Sequence, residues 1–320
     1  MKKIISLIIA LTLTATCLFA FTSCGSNKET IGIIQFGSHE SLNNCYDGIM
    51  LGLKDSIADL EDKYNIEYVN SNFDPSVSQS QANVLVNKGA KVIIAIATPS
   101  AVAAATAADG KVPVVYCAVT DAKTMGNYKN VTGSSDIPNF EKQLEVVTSF
   151  MGKSNLKIGV LYSTEESSSP IQVESLKEAA KKYEGMEVIA KAVADINTID
   201  TAVNSVINSG VDCFINILDN TVVGKLETNI LPITNEKNIP VFGSEIEQVK
   251  KGCVASASID YVNDVGMAAG EAAAKILNGT NASDIKPITV SAPKNYYNST
   301  SCKKFGLTIP SNITAEDVVG

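Results

Sequence analysis

The chain has no arginine and no tryptophan, and its one histidine is His39. Without arginine there is no bidentate guanidinium to clamp a carboxylate or phosphate. Any acidic group bound here is then expected to be held by helix N-termini and hydroxyls. A single histidine excludes multi-histidine metal sites, and no nucleophile is paired with it in a recognisable triad motif. No glycine-rich phosphate cradle follows an apolar run, and the cysteines show no C-x-x-C spacing. Basic residues are also few. Beyond residue 23 there are 24 lysines against 34 acidic residues, a net charge near −10, which argues against a nucleic-acid-binding face.

What is plentiful begins at the N-terminus. Lys2 and Lys3 precede an apolar run from Ile4 to Phe21, followed by Thr22, Ser23, Cys24 and Gly25. This is the layout of a secretion signal. Its end at a cysteine followed by a polar stretch resembles a bacterial lipoprotein signal, which implies removal of residues 1–23, lipidation of Cys24 and a tether over 24–29. A retained membrane anchor is the alternative, since the run is just long enough to span a bilayer. Apart from Cys17 and Cys24, the cysteines are Cys45, Cys117, Cys213, Cys253 and Cys302, an odd and widely spaced set that makes no disulfide framework.

Removing 23 residues leaves 297, which suits two lobes. Short β-branched runs alternate with helical patterns throughout. Strands are expected at Ile31 to Phe36, Ile66 to Asn70, Val92 to Ala97, Val114 to Cys117 and Lys157 to Tyr162. Helices are expected at Leu42 to Leu60, Val77 to Asn87, Ser100 to Ala108 and Ile137 to Phe150. Strands with no polar alternation belong to parallel sheets covered on both faces. The pattern also repeats. Ile31-Gly32-Ile33-Ile34 is echoed by Ile158-Gly159-Val160-Leu161, Asn87-Lys88-Gly89-Ala90 by Asn208-Ser209-Gly210-Val211, and Lys111-Val112-Pro113-Val114 by Asn238-Ile239-Pro240-Val241. The expected fold is α/β, two doubly wound parallel-sheet lobes joined by a multi-crossover hinge. The N-terminal lobe takes 30–137 plus 260–285, and the C-terminal lobe 138–259 plus 286–320.

Ligands of open α/β sheets bind beyond the carboxyl ends of the strands, so the residues there are the candidates. In the first copy these are Gln35, Phe36 and His39, then Thr98, Pro99 and Ser100, then Thr120 and Asp121. In the second they are Ser163, Ser168 and Ser169, then Asp219, Asn220 and Thr221, then Glu245. Thr98 reads as an N-cap with Pro99 as first helical residue, a helix start able to hold an anion without a cation. Asp219, at the matching end of the second copy, offers the opposite charge for an ammonium. Plain helix capping explains either residue equally well. Glu165 and Glu166 read as solvated charge at a helix start.

The ordered set Ile33-Ile34-Gln35-Phe36 with His39, Ile96-Ala97-Thr98-Pro99-Ser100-Ala101, Ala118-Val119-Thr120-Asp121, Val131-Thr132-Gly133, Leu161-Tyr162-Ser163 and Asp219-Asn220-Thr221 resembles the ABC-transporter substrate-binding family, including its receptors for tryptophan and other aromatic amino acids. The likeness runs from about Thr30 to Pro310. It implies a type I periplasmic-binding fold with a three-crossover hinge, and an amino acid as solute, aromatic by preference. Further implications are a separate membrane permease and ATPase as partners, a monomer, no cofactor, no metal and no catalysis. By that analogy the Thr98 helix start, Ser168 and Ser169 receive the carboxylate and Asp219 the ammonium, with Gln35, Phe36, Tyr116 and Tyr162 as candidate walls. Branched-chain amino-acid or other small-solute receptors, a sensory lipoprotein partnering a membrane receptor, a sugar receptor and a secreted α/β enzyme remain as alternatives.

Overall fold

The structure is a computed structural model that describes residues 28–290 and 293–319. Cys24 and the signal therefore lie outside the described residues. In the first lobe, β1 (Glu29–Gln35), β2 (Tyr64–Asn70), β3 (Val92–Ile96), β4 (Val114–Cys117), β5 (Val131–Asp136) and β11 (Ile288–Val290) form one parallel sheet in the order β11-β5-β4-β3-β1-β2. Every residue of β3 is buried. Its alternate side chains enter two different cores, as a strand at the centre of a doubly covered sheet requires. Val92, Ile94 and Ile96 pack with Leu42, Ile49 and Leu53 of α1 (Glu40–Ser56) and Ala269 and Ala273 of α8 (Met267–Leu277). Ile93 and Ala95 pack with Ala82 and Leu85 of α2 (Pro75–Asn87) and Ala101 and Ala104 of α3 (Thr98–Ala108).

The second lobe repeats the plan. Strands β6 (Lys157–Ser163), β7 (Glu187–Val193), β8 (Cys213–Ile215) and β9 (Val241–Phe242) run parallel in the order β7-β6-β8-β9, the counterpart of β2-β1-β3-β4. Helices α4 (Phe140–Met151) and α5 (Ser168–Ala180) cover one face, with Leu144, Val147, Val173 and Leu176 against Ile158, Val160 and Ile215. Helix α6 (Ile199–Ile207) covers the other through Val203 and Val206 against Leu161 and Phe214.

The chain passes between the lobes after β5, after β10 (Ala255–Ser258), and between β11 and β12 (Lys294–Tyr297). β10, β12 and β13 (Glu316–Asp317) form a further three-stranded sheet, antiparallel between β10 and β12. Backbone bonds from Val254 N to Val241 O and from Gly243 N to Ala255 O join β10 to β9. One boundary differs from the expected one. Residues 288–290, placed with the second lobe by the sequence, pair with β5 of the first, Ile288 opposite Ser134.

Two local devices set the mouth of the cleft. Helices α1 and α8 cross at glycines: a Cβ on Gly52 would run into Met267 O, and one on Gly270 into Ile49 O. The backbones touch, which holds the start of α1 in place. After β10 the chain makes a π-helical turn, Tyr261–Gly266, with Asp260 Oδ1 accepting from Val262 N and Asn263 N at 2.9 Å each. Such turns are frequent at functional sites, and this one begins with the buried Tyr261.

Candidate functional site

At the end of β1, buried Gln35 donates through Nε2 to Gly37 O and to Asn43 Oδ1, both at 2.8 Å. That bracing directs residues 37–39 into α1. His39 occupies the N-cap of α1 with extended backbone and no side-chain cap hydrogen bond. The first N–H groups of a 17-residue helix are thus left for other acceptors. Phe36 lies beneath, in the core, edge-on to Phe73 at 5.8 Å. Phe73 in turn stacks on the His39 ring, 6.3 Å between centroids and 7° between planes.

A cavity of about 20 Å³ lies between the lobes at this point. From the first lobe it is lined by His39, Ser41, Leu42, Ala118, Thr120, Asp136 and Tyr261. From the second come Leu218, Asp219, Asn220, Val223 and Glu245. The volume suits about one water molecule, so the lobes are closed on each other. Two side-chain bonds cross the cleft: His39 Nε2 with Asn220 Oδ1 at 3.0 Å, and Asn44 Nδ2 to Glu247 Oε1 at 3.0 Å. A wider groove of about 1050 Å³ between α4 and α5, lined by Ile137, Phe140, Pro170 and Ile171 among others, is open to solvent and holds none of the residues selected from sequence.

The lining is acidic and contains no lysine. Burial pushes the Asp136 carboxyl up to about 7, opposed by the Tyr261 hydroxyl, which donates to Oδ2 at 3.0 Å. Burial also raises Glu245. His39 is lowered to about 4, again chiefly by burial. Three buried polar atoms of lining residues make no well-formed hydrogen bond: His39 Nδ1, Asp136 Oδ1 and Ser41 Oγ, the last lying beside the Glu245 carboxyl. Buried polar atoms are nearly always paired, and an unpaired one costs about 1–3 kcal/mol. Three around one small cavity mark it as a place built to meet polar groups.

Behind Asn220 sits a residue that the sequence reading took for solvated charge. Glu166 is fully buried; it accepts from Thr221 N at 2.8 Å, Thr221 Oγ1 at 2.9 Å and Asn220 Nδ2 at 2.7 Å. Burial and the neighbouring Asp219 carboxyl push it up to about 8. Asp219 caps α7 (Asn220–Val223), with Oδ1 accepting from Val222 N at 2.9 Å and Oδ2 from Ser163 N at 2.5 Å.

The other sequence-selected residues distribute as follows. His39, Thr120, Asp219, Asn220 and Glu245 share the cavity. Thr98, Pro99 and Ser100 do not line it. The cap of α3 is Ala97, with φ 77° and ψ 155°, so Thr98 is the first helical residue rather than the cap, and Ser100 Oγ faces Ser78 Oγ at 3.3 Å. Ala97, and Ala118 at φ 54°, hold positive φ without being glycine; both stand at strand ends, and Ala118 lines the cavity. Asp121 caps a short turn through Lys123 N. Ser163, Ser168 and Ser169 are buried behind the cavity at β6 and the start of α5. Tyr116 belongs to the core. Asp136, Glu166, Tyr261, Ser41 and Phe73 escaped the sequence reading. Applying the strand-end rule to β5 as well would have found Asp136. Among the described residues no cluster of three or more His, Cys, Asp or Glu could hold a metal, and the five cysteines there are free and buried.

A family model described as ABC transporter substrate binding protein matches residues 30–318. The chain is 34% identical over 311 residues to a tyrosine-binding protein of Clostridioides difficile (strain R20291), covering 90% of this chain and 87% of that one. Among solved structures, an ABC domain from Streptococcus pneumonia in complex with L-Trp superposes with a TM-score of 0.83 at 30% identity, covering 91% of this chain and all of that one. The ligand-free, open structure of a substrate-binding protein with adhesive properties from Clostridium difficile gives 0.66 at 32% identity, over 91% and 99% of the two chains. Taken with the duplicated parallel sheets, these matches place the chain in the ABC transporter substrate-binding protein family.

Proposed function

We propose that the protein is the extracytoplasmic receptor of an ABC importer and binds an amino acid, aromatic by preference, in the cleft between its lobes. The observation that carries this is the set of buried atoms without a well-formed hydrogen bond, His39 Nδ1, Ser41 Oγ and Asp136 Oδ1, around a cavity that both lobes line. In this reading the solute's ammonium lies between Asp136 and Glu245, where its charge lets both carboxyls ionise. Its carboxylate takes the uncapped start of α1 with the Ser41 and Thr120 hydroxyls, as a chain without arginine requires. Asp219, already engaged by two backbone N–H groups, frames the site rather than holding the ammonium.

The mechanism is lobe closure: a solute that bridges the lobes shifts the open and closed populations by its differential contacts. The better superposition on the L-Trp complex than on an open structure of similar identity supports reading the present form as closed. The names of the relatives, for tyrosine and tryptophan, support the aromatic preference. No helix among the described residues is long and apolar enough to cross a membrane. The family match supports including a permease and an ATPase as separate chains in this reading, with attachment through a lipid on Cys24. Calorimetry with tyrosine, tryptophan, phenylalanine, leucine and an aldose is the test. Heat of binding with the aromatic amino acids supports the reading, and its absence with every amino acid rejects it.

A further inference from the structure

The hydrogen bonds around Asn220 make a directed chain. Its Nδ2 donates to Glu166 Oε2, so its Oδ1 faces His39 and must accept from Nε2–H. His39 is neutral, so Nδ1 then carries no hydrogen, and this is the nitrogen that stands buried without a partner at the cavity. The direction depends on Glu166. Its Oε1 is committed to Thr221 N and Oγ1, so a proton on this carboxyl sits on Oε2. Oε2–H has to donate, which turns Asn220 round, presents its NH₂ to His39 Nε2 and moves the ring hydrogen to Nδ1.

The corner that His39 occupies is distinct from the acid pair. Asp136, Tyr261 and Glu245 interact with one another. His39 instead packs on Phe73 and bonds towards Asn220 and Glu166, and Phe73 also approaches Gly224 of the second lobe. An aromatic solute whose ammonium lies at Asp136 turns its ring towards this second corner. The charged and titratable groups bearing on the chain are Asp219 beside Glu166, and Lys251, whose charge acts on His39.

We propose that Glu166 determines, through Asn220, whether His39 offers the solute an acceptor or a donor, and that His39 thereby selects the polar group on the solute's ring. This rests on the aromatic amino-acid reading above. With Glu166 ionised, Nδ1 accepts from an indole N–H or a phenol O–H. With Glu166 protonated, Nδ1–H donates, which a phenol oxygen can accept and an indole N–H cannot. Tryptophan is then favoured by the ionised state, tyrosine is served by both, and phenylalanine by neither.

The chain's single histidine gives one pair of imidazole nitrogen resonances, so ¹⁵N NMR reads the tautomer directly. Between pH 6 and pH 10 the solute-free protein is expected to pass from protonated to bare Nδ1, while Glu166→Gln stays in the protonated-Nδ1 form. In Glu166→Gln the Oε1 must still accept from Thr221, leaving its NH₂ for Asn220. Asn220→Ala breaks the link and makes the tautomer independent of pH, which serves should Glu166→Gln not fold. In calorimetry between pH 6 and pH 8.5, where both solutes keep their ammonium, the ratio of tryptophan to tyrosine affinity is expected to rise about tenfold, over and above any change that Asp136 brings to both. A tautomer that is the same in wild type and both variants at every pH overturns the proposal, as does a tryptophan-to-tyrosine ratio that does not move. Failure of every aromatic amino acid to bind rejects the functional reading instead, and leaves the NMR comparison as the measure of the Glu166 link.

Discussion

His39 and Asn220, 181 positions apart in sequence, meet across the cleft at 3.0 Å, one at the start of α1 and the other at the start of α7. With Asn44 and Glu247 they join the lobes without a solute. The closed form is therefore held by neutral or singly charged hydrogen bonds, each worth about 1 kcal/mol. Replacing His39 and Asn44 together by alanine is expected to enlarge the radius of gyration of the solute-free protein in small-angle scattering. Identical scattering from variant and wild type would show that these bonds do not hold the lobes.

Asp136 sits where an ammonium group needs an anion, and Asp136→Asn keeps its shape while removing the charge. Amino-acid affinity should fall by about 2 kcal/mol or more, roughly thirtyfold. Without solute the same variant should unfold at no lower temperature than wild type at pH 8, since a buried carboxylate has gone. Unchanged calorimetric affinity would remove Asp136 from the site.

The pH dependence of stability has a definite sign. Asp136 and Glu166 are raised in the folded state, to about 7 and about 8. The stability linked to their protons is full at low pH and is lost as pH rises through those values. His39 is lowered to about 4, so its neutral form contributes stability above the ordinary histidine range, lost as pH falls from about 6.5 towards 4. Between pH 6.5 and 8 only the carboxyls act, and the solute-free melting temperature should fall across that window. Bound solute brings an ammonium, so the thermal shift it causes should grow with pH over the same interval. A shift that shrinks instead contradicts the placement of the ammonium.

The uncapped start of α1 is the place for the solute's carboxylate. Tyrosine amide, which keeps the ring and the ammonium but loses the negative charge, should bind at least about tenfold more weakly than tyrosine. Equal affinity would move the carboxylate elsewhere.

The glycine crossing of α1 and α8 has no room for a methyl group. Gly52→Ala forces the helices apart at Met267 O and should lower unfolding free energy by about 1–3 kcal/mol in urea titration. Because α1 carries His39 and Ser41, solute affinity should fall as well. A variant as stable as wild type would mean that the crossing can relax.

Much of the architecture is legible in the residues. The unbroken apolar runs at Val92–Ile96 and Ile158–Leu161 allow only strands covered on both faces, and the echo of Ile31–Ile34 in Ile158–Leu161 implies two sheets of one plan, as the matching strand orders show. The strand-end rule brought His39, Thr120, Asp219, Asn220 and Glu245 to one cavity, because in a parallel sheet every carboxyl end lies on the same side.

Composition alone removed arginine, tryptophan and a second histidine from any account of binding, since absence is a property of the chain and not of its fold. Tertiary structure decided which helix start faces the cleft. Thr98 and His39 both stand at helix starts, but α3 packs its start beside Ser78 while α1 opens onto the cavity, a difference set by packing between α2 and α3 that no local pattern encodes. It also decided protonation. Glu165 and Glu166 are neighbours of identical type, yet Glu166 is buried against Asn220 and Thr221 from another part of the chain. The energy of a charge depends on the dielectric around it and on which groups reach it, and both are fixed only when the second lobe has folded.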